Sequence, residues 1–243
     1  MNKETVIKVT NATVRFNKAT EQYNGLKEYV IKMLKGELMF QEFLALKDVN
    51  LEVKKGESWG LIGTNGSGKS TLLKLICGIL KPYKGTVEVH GNIAPLIELG
   101  AGFDGELTAR ENIYLNGALL GHKKAFMAQH FDEIIEFAEL QDFVDVPLKN
   151  FSSGMAARLG FAVATIVKPE ILIVDEVLAV GDAAFQEKCK QRMEKMLAGG
   201  TTLLFVSHSI DQVKELCQNV IWIDKGVVKA IGKAEDVIPL YDR

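Results

Sequence analysis

The feature that most constrains this chain is the loop Gly63-Thr64-Asn65-Gly66-Ser67-Gly68-Lys69-Ser70-Thr71, which fits the spacing Gly-x-x-x-x-Gly-Lys-[Ser/Thr]. The apolar run Trp59-Gly60-Leu61-Ile62 reads as a strand entering the loop, and Thr71-Leu72-Leu73-Lys74-Leu75-Ile76 as a helix leaving it. Strand, glycine loop and helix together make a phosphate cradle. The glycines let backbone N–H groups turn inward, and the helix N-terminus adds partial positive charge. In such a cradle Lys69 reaches the β- and γ-phosphates and the Ser70 hydroxyl ligates Mg2+. An ordinary glycine-rich turn needs none of these flanks. The chain therefore reads as a nucleotide binder, and the open question is what the nucleotide drives.

Composition limits the answers. At 243 residues the chain can bury one large domain or a core with a subdomain. A net charge of −2 supplies no global basic field for nucleic acid. Cys77, Cys189 and Cys217 form no Cys-x-x-Cys pair and sit in apolar or helical contexts, as small core residues in a reducing cytosol do. No apolar stretch follows Met1-Asn2-Lys3-Glu4 to make a signal peptide, and no run approaches the roughly 18 apolar residues a spanning helix needs. The expectation is a soluble protein that meets a membrane only through a partner.

Alternation over Ile7–Phe16 predicts an early strand, and Leu46 to Val53 a second. Between them residues 17–45 form an extra segment, in which Leu26, Tyr29, Val30, Met33 and Leu34 fall on one helical stripe. That stripe either folds back on the protein's own core or is offered to a membrane partner. Its balanced charges exclude a polybasic lipid anchor. A strand Thr86 to His90 follows the loop helix. From about 103 to 168 the pattern turns helical, with Arg110 to Leu120, Ala125 to Leu140 and Gly154 to Val167 as helices, a subdomain inserted into an α/β core. Strand Ile171 to Val174, helix Ala183 to Leu197, strand Thr202 to Val206, helix Asp211 to Cys217 and the strands Val220–Ile223 and Val227–Ile231 complete the pattern.

Three further stretches carry chemistry. Ile171-Leu172-Ile173-Val174-Asp175-Glu176 is an apolar strand ending in two carboxylates, at the end where open α/β sheets bind ligands. Asp175 there holds Mg2+, and Glu176, one residue on, polarises an attacking water. Phe151-Ser152-Ser153-Gly154-Met155 opens a helix and offers a hydroxyl and free N–H groups, a second anion site. Val206-Ser207-His208-Ser209 puts an imidazole at the end of the next strand. Taken singly, each stretch also reads as a solvated strand end, a plain helix cap or a structural histidine.

In this order the residues resemble the nucleotide-binding subunit of ABC transporters over essentially the whole chain, residues 1–243 as a single domain. The resemblance implies a P-loop NTPase (RecA-like) α/β core of the ABC ATPase type, with an antiparallel β subdomain and the inserted helical subdomain. It implies ATP and Mg2+, with Gly63 to Thr71 around the phosphates and Lys69, Glu176 and His208 as catalytic residues. It also implies a second copy packed head to tail, whose Ser152, Ser153 and Gly154 close over the γ-phosphate held by Lys69. Asp182 becomes an interface aspartate, and Ser70 and Asp175 metal ligands. Two departures stand out. The signature keeps only the serine and second glycine of Leu-Ser-Gly-Gly-Gln. Ile93 to Gly100 holds no glutamine for Mg2+, so Glu98, a hard oxygen donor, aligns there. Phe16 ends the strand expected to stack on adenine, with Tyr23 and Phe43 as alternatives.

Those departures, with Gly100-Ala101-Gly102-Phe103, Leu107-Thr108-x-Arg110-Glu111-Asn112-Ile113 and Val180-Gly181-Asp182-x-x-Phe185, are similar to the polysaccharide-export branch. The branch implies a membrane permease in two copies, a lipid-linked polysaccharide as cargo, and residence at the cytoplasmic face of the membrane. The ending Glu235 to Tyr241 is similar to that of short teichoic acid exporters, which makes wall teichoic acid the expected polymer and O-antigen or capsule the alternative. A soluble ATPase acting on nucleic acid or the ribosome is the reading from another class. It lacks support, since no coiled-coil insertion, second nucleotide domain or basic stripe is present and no nucleic acid is expected.

Overall fold

The computed structural model describes residues 4–19, 40–96, 100, 102–175, 181–207 and 209–241. Strands β1 (Thr5–Ala19), β2 (Phe40–Lys54) and β4 (Lys84–Val89) form an antiparallel sheet in the order β2-β1-β4. A second sheet holds six strands, β3 (Ser58–Ile62), β5 (Ile93–Leu96), β6 (Ile171–Asp175), β7 (Thr202–Val206), β8 (Asn219–Asp224) and β9 (Val227–Lys233), in the order β5-β6-β7-β3-β8-β9. All its pairs are parallel except β8 with β9.

β3 and β7 are buried along their whole length, which is why they read as unbroken apolar runs. Successive residues of β7 serve opposite faces. Leu204 and Val206 pack toward helix α1 (Lys69–Ile76) and the antiparallel sheet. Leu203 and Phe205 pack toward helices α6 (Ala183–Ala198), α7 (Ile210–Leu216) and α8 (Ala234–Tyr241). A third core joins α2 (Ala109–Leu119), α3 (Lys124–Gln129), α4 (Phe131–Ala138) and α5 (Ser153–Ala164) through Ile113, Met127, Ile134 and Leu159. These helices lie between β5 and β6 in the chain, so the inserted helical unit is present. Cys189 and Cys217 are buried and Cys77 half-buried, all as free thiols.

The structure departs from the sequence reading in four places. β1 and β2 run well into the extra segment, so Phe16 is not a strand end; the described part of that segment is strand, and the helical stripe at 26–34 lies outside the described residues. β5 forms where the sequence reading places no strand; it carries Pro95 and is an edge strand, where a missing N–H is tolerated. The single helix expected over 125–140 is two, broken at His130, whose φ of −106° leaves the helical range. Met127, Phe131, Ile134 and Ala138 keep helical spacing across the break, so the pattern gave no sign of it. α8 carries Pro239 inside it and was also missed, although Val237 and Ile238 are buried.

Candidate nucleotide site

β3 delivers Gly63 to a place where a side chain cannot stand. A Cβ there would lie 2.1 Å from the carbonyl oxygen of Ile223 on β8, at φ +146°. Gly68, at φ +114°, is the N-cap of α1 and provides no side-chain hydrogen bond, so the first N–H groups of α1 face the loop without a capping oxygen. Lys69 is only 6% exposed and its Nζ donates to the carbonyls of Gly63 at 2.8 Å and Thr64 at 3.1 Å. The ammonium is thus held over the loop by acceptors of the loop itself.

One atom here is unexplained by the protein alone. Ser67 Oγ is buried and has no hydrogen-bond partner among the described residues. An orphaned buried hydroxyl costs about 1–3 kcal/mol, a penalty that an acceptor such as a phosphate oxygen would remove. The loop's own glycines, uncapped N–H groups and lysine all favour the same kind of ligand.

A cleft of about 510 Å3 opens on the loop and is lined by Phe16, Phe43, Ala45, residues 65–71, Asp175 and Val206. Asn65, Gly66, Ser67, Gly68, Lys69, Ser70 and Thr71 therefore share one wall, with Gly63 and Thr64 behind the lysine. Ser70 Oγ, in the first turn of α1, donates to Asp175 Oδ2 at 3.3 Å. A hydroxyl and a carboxylate converging at the end of a parallel sheet fit the hard oxygen set that Mg2+ requires.

The aromatic wall has two members. Phe16 and Phe43 are directly opposed in the antiparallel register of β1 and β2, so their rings leave the ribbon on the same side. They are 41% and 53% exposed, which leaves both ring faces available to a base. Phe43, held in reserve on sequence, stands equal to Phe16; Tyr23 lies outside the described residues.

The stretch expected to form a second anion site lies elsewhere. Ser152 is the N-cap of α5 and its Oγ accepts from Met155 N–H at 3.2 Å. Ser152 and Ser153 are exposed, and neither they nor Gly154 line the cleft. Asp182 is the N-cap of α6: its Oδ1 accepts from Phe185 N–H at 2.9 Å and its Oδ2 from Arg158 Nη2 at 2.8 Å. The Phe185 N–H, and then the Arg158 guanidinium, hold this carboxyl below the ordinary aspartate range. Glu98, Glu176 and His208 lie outside the described residues. The turn next to His208 is built by Ser207 Oγ, which donates to Gln212 Oε1 at 2.9 Å and accepts from Ser209 N–H at 3.0 Å.

One contributor carries no sequence signal, and a second, Asn112, is marked only as part of the stretch Leu107 to Ile113. Arg158 lies on the signature helix at a spacing that marks nothing. Asn112 is fully buried and bonds the backbone at Asp104, Leu107 and Thr108, fixing the loop that enters the helical unit. Among the described residues no cluster of three or more His, Cys, Asp or Glu forms a separate metal site, and no helix is long and apolar enough to cross a membrane.

Residues 46–179 match the sequence profile of the ABC transporter family. The chain is 46% identical over 244 residues to the O-antigen export system ATP-binding protein RfbB of Klebsiella pneumoniae, covering 98% of both chains. It is 40% identical to the teichoic acids export ATP-binding protein TagH of Listeria innocua, over 96% of this chain and 70% of that one. Among solved structures it superposes with a TM-score of 0.72 on a dimeric, post-hydrolysis ATP-binding cassette bound to ADP and Pi, at 24% identity, covering 94% of this chain and 98% of that one. That last likeness speaks for the fold. With a P-loop, a carboxylate at the sheet's end and a helical unit inserted between β5 and β6, the chain belongs to the ABC transporter family as an ATP-binding, ATP-hydrolysing subunit.

Proposed function

We propose that this ATPase drives export of a lipid-linked cell-surface polysaccharide, working as two copies of the chain bound to two copies of a membrane permease at the cytoplasmic face. The observation that carries the reading is the 46% identity over 98% of both chains to an O-antigen export ATP-binding protein. The finer choice of polymer rests on two supports that point apart. The residues Glu235 to Tyr241 favour teichoic acid, whereas a relative 46% identical over 98% of both chains is named for O-antigen export.

Within the site, Lys69 turns from the carbonyls of Gly63 and Thr64 to the β- and γ-phosphates, and Ser67 Oγ gains its acceptor. Ser70 and Asp175, joined by Glu98 on sequence, would hold Mg2+, which would supply positive charge against the phosphate oxygens. Phe16 and Phe43 hold the base. Glu176 orients water and His208 meets the γ-phosphate; both roles rest on sequence position. Ser152 and Ser153 are exposed, Gly154 is half-buried, and all three lie outside the cleft, so they serve the nucleotide of a second copy, with Asp182 beside them.

The test is Glu176→Gln. Nucleotide binding and ATP-driven pairing persist, while turnover falls by about 10²–10⁴-fold, the usual contribution of a general base. Near-normal turnover would remove Glu176 from the role. Depletion of the protein in cells, followed by identification of the lipid-linked polymer retained inside, decides the cargo.

A further inference from the structure

Arg158 sits almost two turns into α5, on the helix that Ser152 caps. Its side chain is 18% exposed and grips two carboxylates at once. Nη1 donates to Glu139 Oε2 at 2.7 Å and Nη2 to Asp182 Oδ2 at 2.8 Å. The guanidinium also lies 4.7 Å over the ring of Phe185, one turn into α6. Glu139 ends α4 in the left-handed conformation and takes a second ion pair from Lys188 of α6 at 3.2 Å. Asp182 and Lys188 belong to the same helix and its cap, so the four charges form a closed circuit around the junction of α4, α5 and α6.

A lone exposed ion pair is worth little, but a fork held between two carboxylates and stacked on an aromatic ring fixes geometry as well as charge. The circuit has a mechanical meaning only when it is set beside the two helix ends it joins. Ser152 opens α5 and Asp182 opens α6, and both are exposed. Resting on the paired-copy reading above, we propose that Arg158 is a positioning residue that locks the Ser152 end of α5 to the Asp182 end of α6. The two ends then meet a second copy and its nucleotide as one preformed surface. With the circuit intact, neither end has to be ordered separately when the copies close, and ordering of that kind is a direct cost to association.

The experiment uses the full chain in the Glu176→Gln background, with ATP and Mg2+. Arg158→Lys keeps a cation and an aliphatic stem over Phe185 but cannot fork to two carboxylates. ATP-driven dimerisation, read by light scattering, is expected to weaken about tenfold or more, while a fluorescent ATP analogue binds the isolated copy within about twofold of the parent. The effects of Arg158→Lys and Asp182→Asn are expected to be non-additive, because they break one link. Parent-like dimerisation of Arg158→Lys, or independent multiplication of the two losses, overturns the proposal. Should Arg158→Lys lower the thermal midpoint by more than about 5 °C, Glu139→Gln decides instead. It leaves the Arg158–Asp182 arm and removes the far anchor, and unchanged dimerisation there overturns the proposal. A Glu176→Gln parent that stays monomeric with ATP overturns the paired-copy reading itself, which separates the two failures.

Discussion

Ser70 Oγ and Asp175 Oδ2 stand 3.3 Å apart although 105 residues separate them in the chain. One belongs to the first turn of α1 and the other to the last position of β6, so the contact exists only because β3 and β6 both flank β7 in a parallel sheet. If this pair holds the metal, Ser70→Ala raises the Mg2+ concentration for half-maximal ATPase activity by about tenfold, the scale of one lost oxygen donor. Asp175→Asn, which removes the charge, has the larger effect. A Mg2+ titration that superposes on the parent curve removes Ser70 from the metal site.

The aromatic pair gives a second outcome. Stacking of a base on one aromatic ring is worth about 1–3 kcal/mol by alanine substitution, or roughly 5- to 150-fold in affinity. Phe16→Ala and Phe43→Ala each weaken ATP binding within that range, measured by equilibrium binding, and the double substitution weakens it further. A variant that binds ATP like the parent identifies the ring that only shields the cleft.

Two glycines of the loop separate contact from conformation. Gly63→Ala would put a methyl group 2.1 Å from a backbone carbonyl, so β3 or β8 must move. Gly66→Ala meets nothing within 4 Å and carries only the cost of φ +75°, about 1–2 kcal/mol. Gly63→Ala is expected to abolish nucleotide binding and lower the thermal midpoint, whereas Gly66→Ala keeps the fold. Equal midpoints for the two would show that the loop yields at Ile223.

Much of the six-stranded sheet was legible because β3, β6 and β7 are short, unbroken apolar runs. The P-loop was readable whole, since its chemistry is local. Phe43 was not equally readable, because its rank depends on the cross-strand register that sets it opposite Phe16. β5 and α8 carry Pro95 and Pro239, residues that argue against a strand and against a helix interior. Arg158 was hidden for a different reason: its partners Glu139 and Asp182 are distant in sequence and converge only when α4, α5 and α6 pack.

Acid provides a fourth test. Asp182 has a folded-state pKa lowered from 3.8, chiefly by the Phe185 N–H and then by Arg158. A lowered value means that its stabilising contribution is fully present above the unfolded value and is lost as pH falls through the folded one. A carbon-detected NMR titration of the Asp182 carboxyl should therefore show a midpoint below 3.8. Arg158→Lys moves that midpoint upward only part of the way, because the Phe185 N–H remains. A midpoint at or above the ordinary value would mean that the helix cap is not formed in solution.

The ladder between β1 and β2 ends at the rung Ala19–Phe40, three rungs beyond Phe16–Phe43. Ala19 and Phe40 are therefore fixed opposite one another by the ladder's own pairs. A two-residue Asn-Gly turn between them would close the same ladder. Such a variant is expected to keep the aromatic wall, because the rung that aligns Phe16 with Phe43 is set by pairing on β1 and β2 themselves.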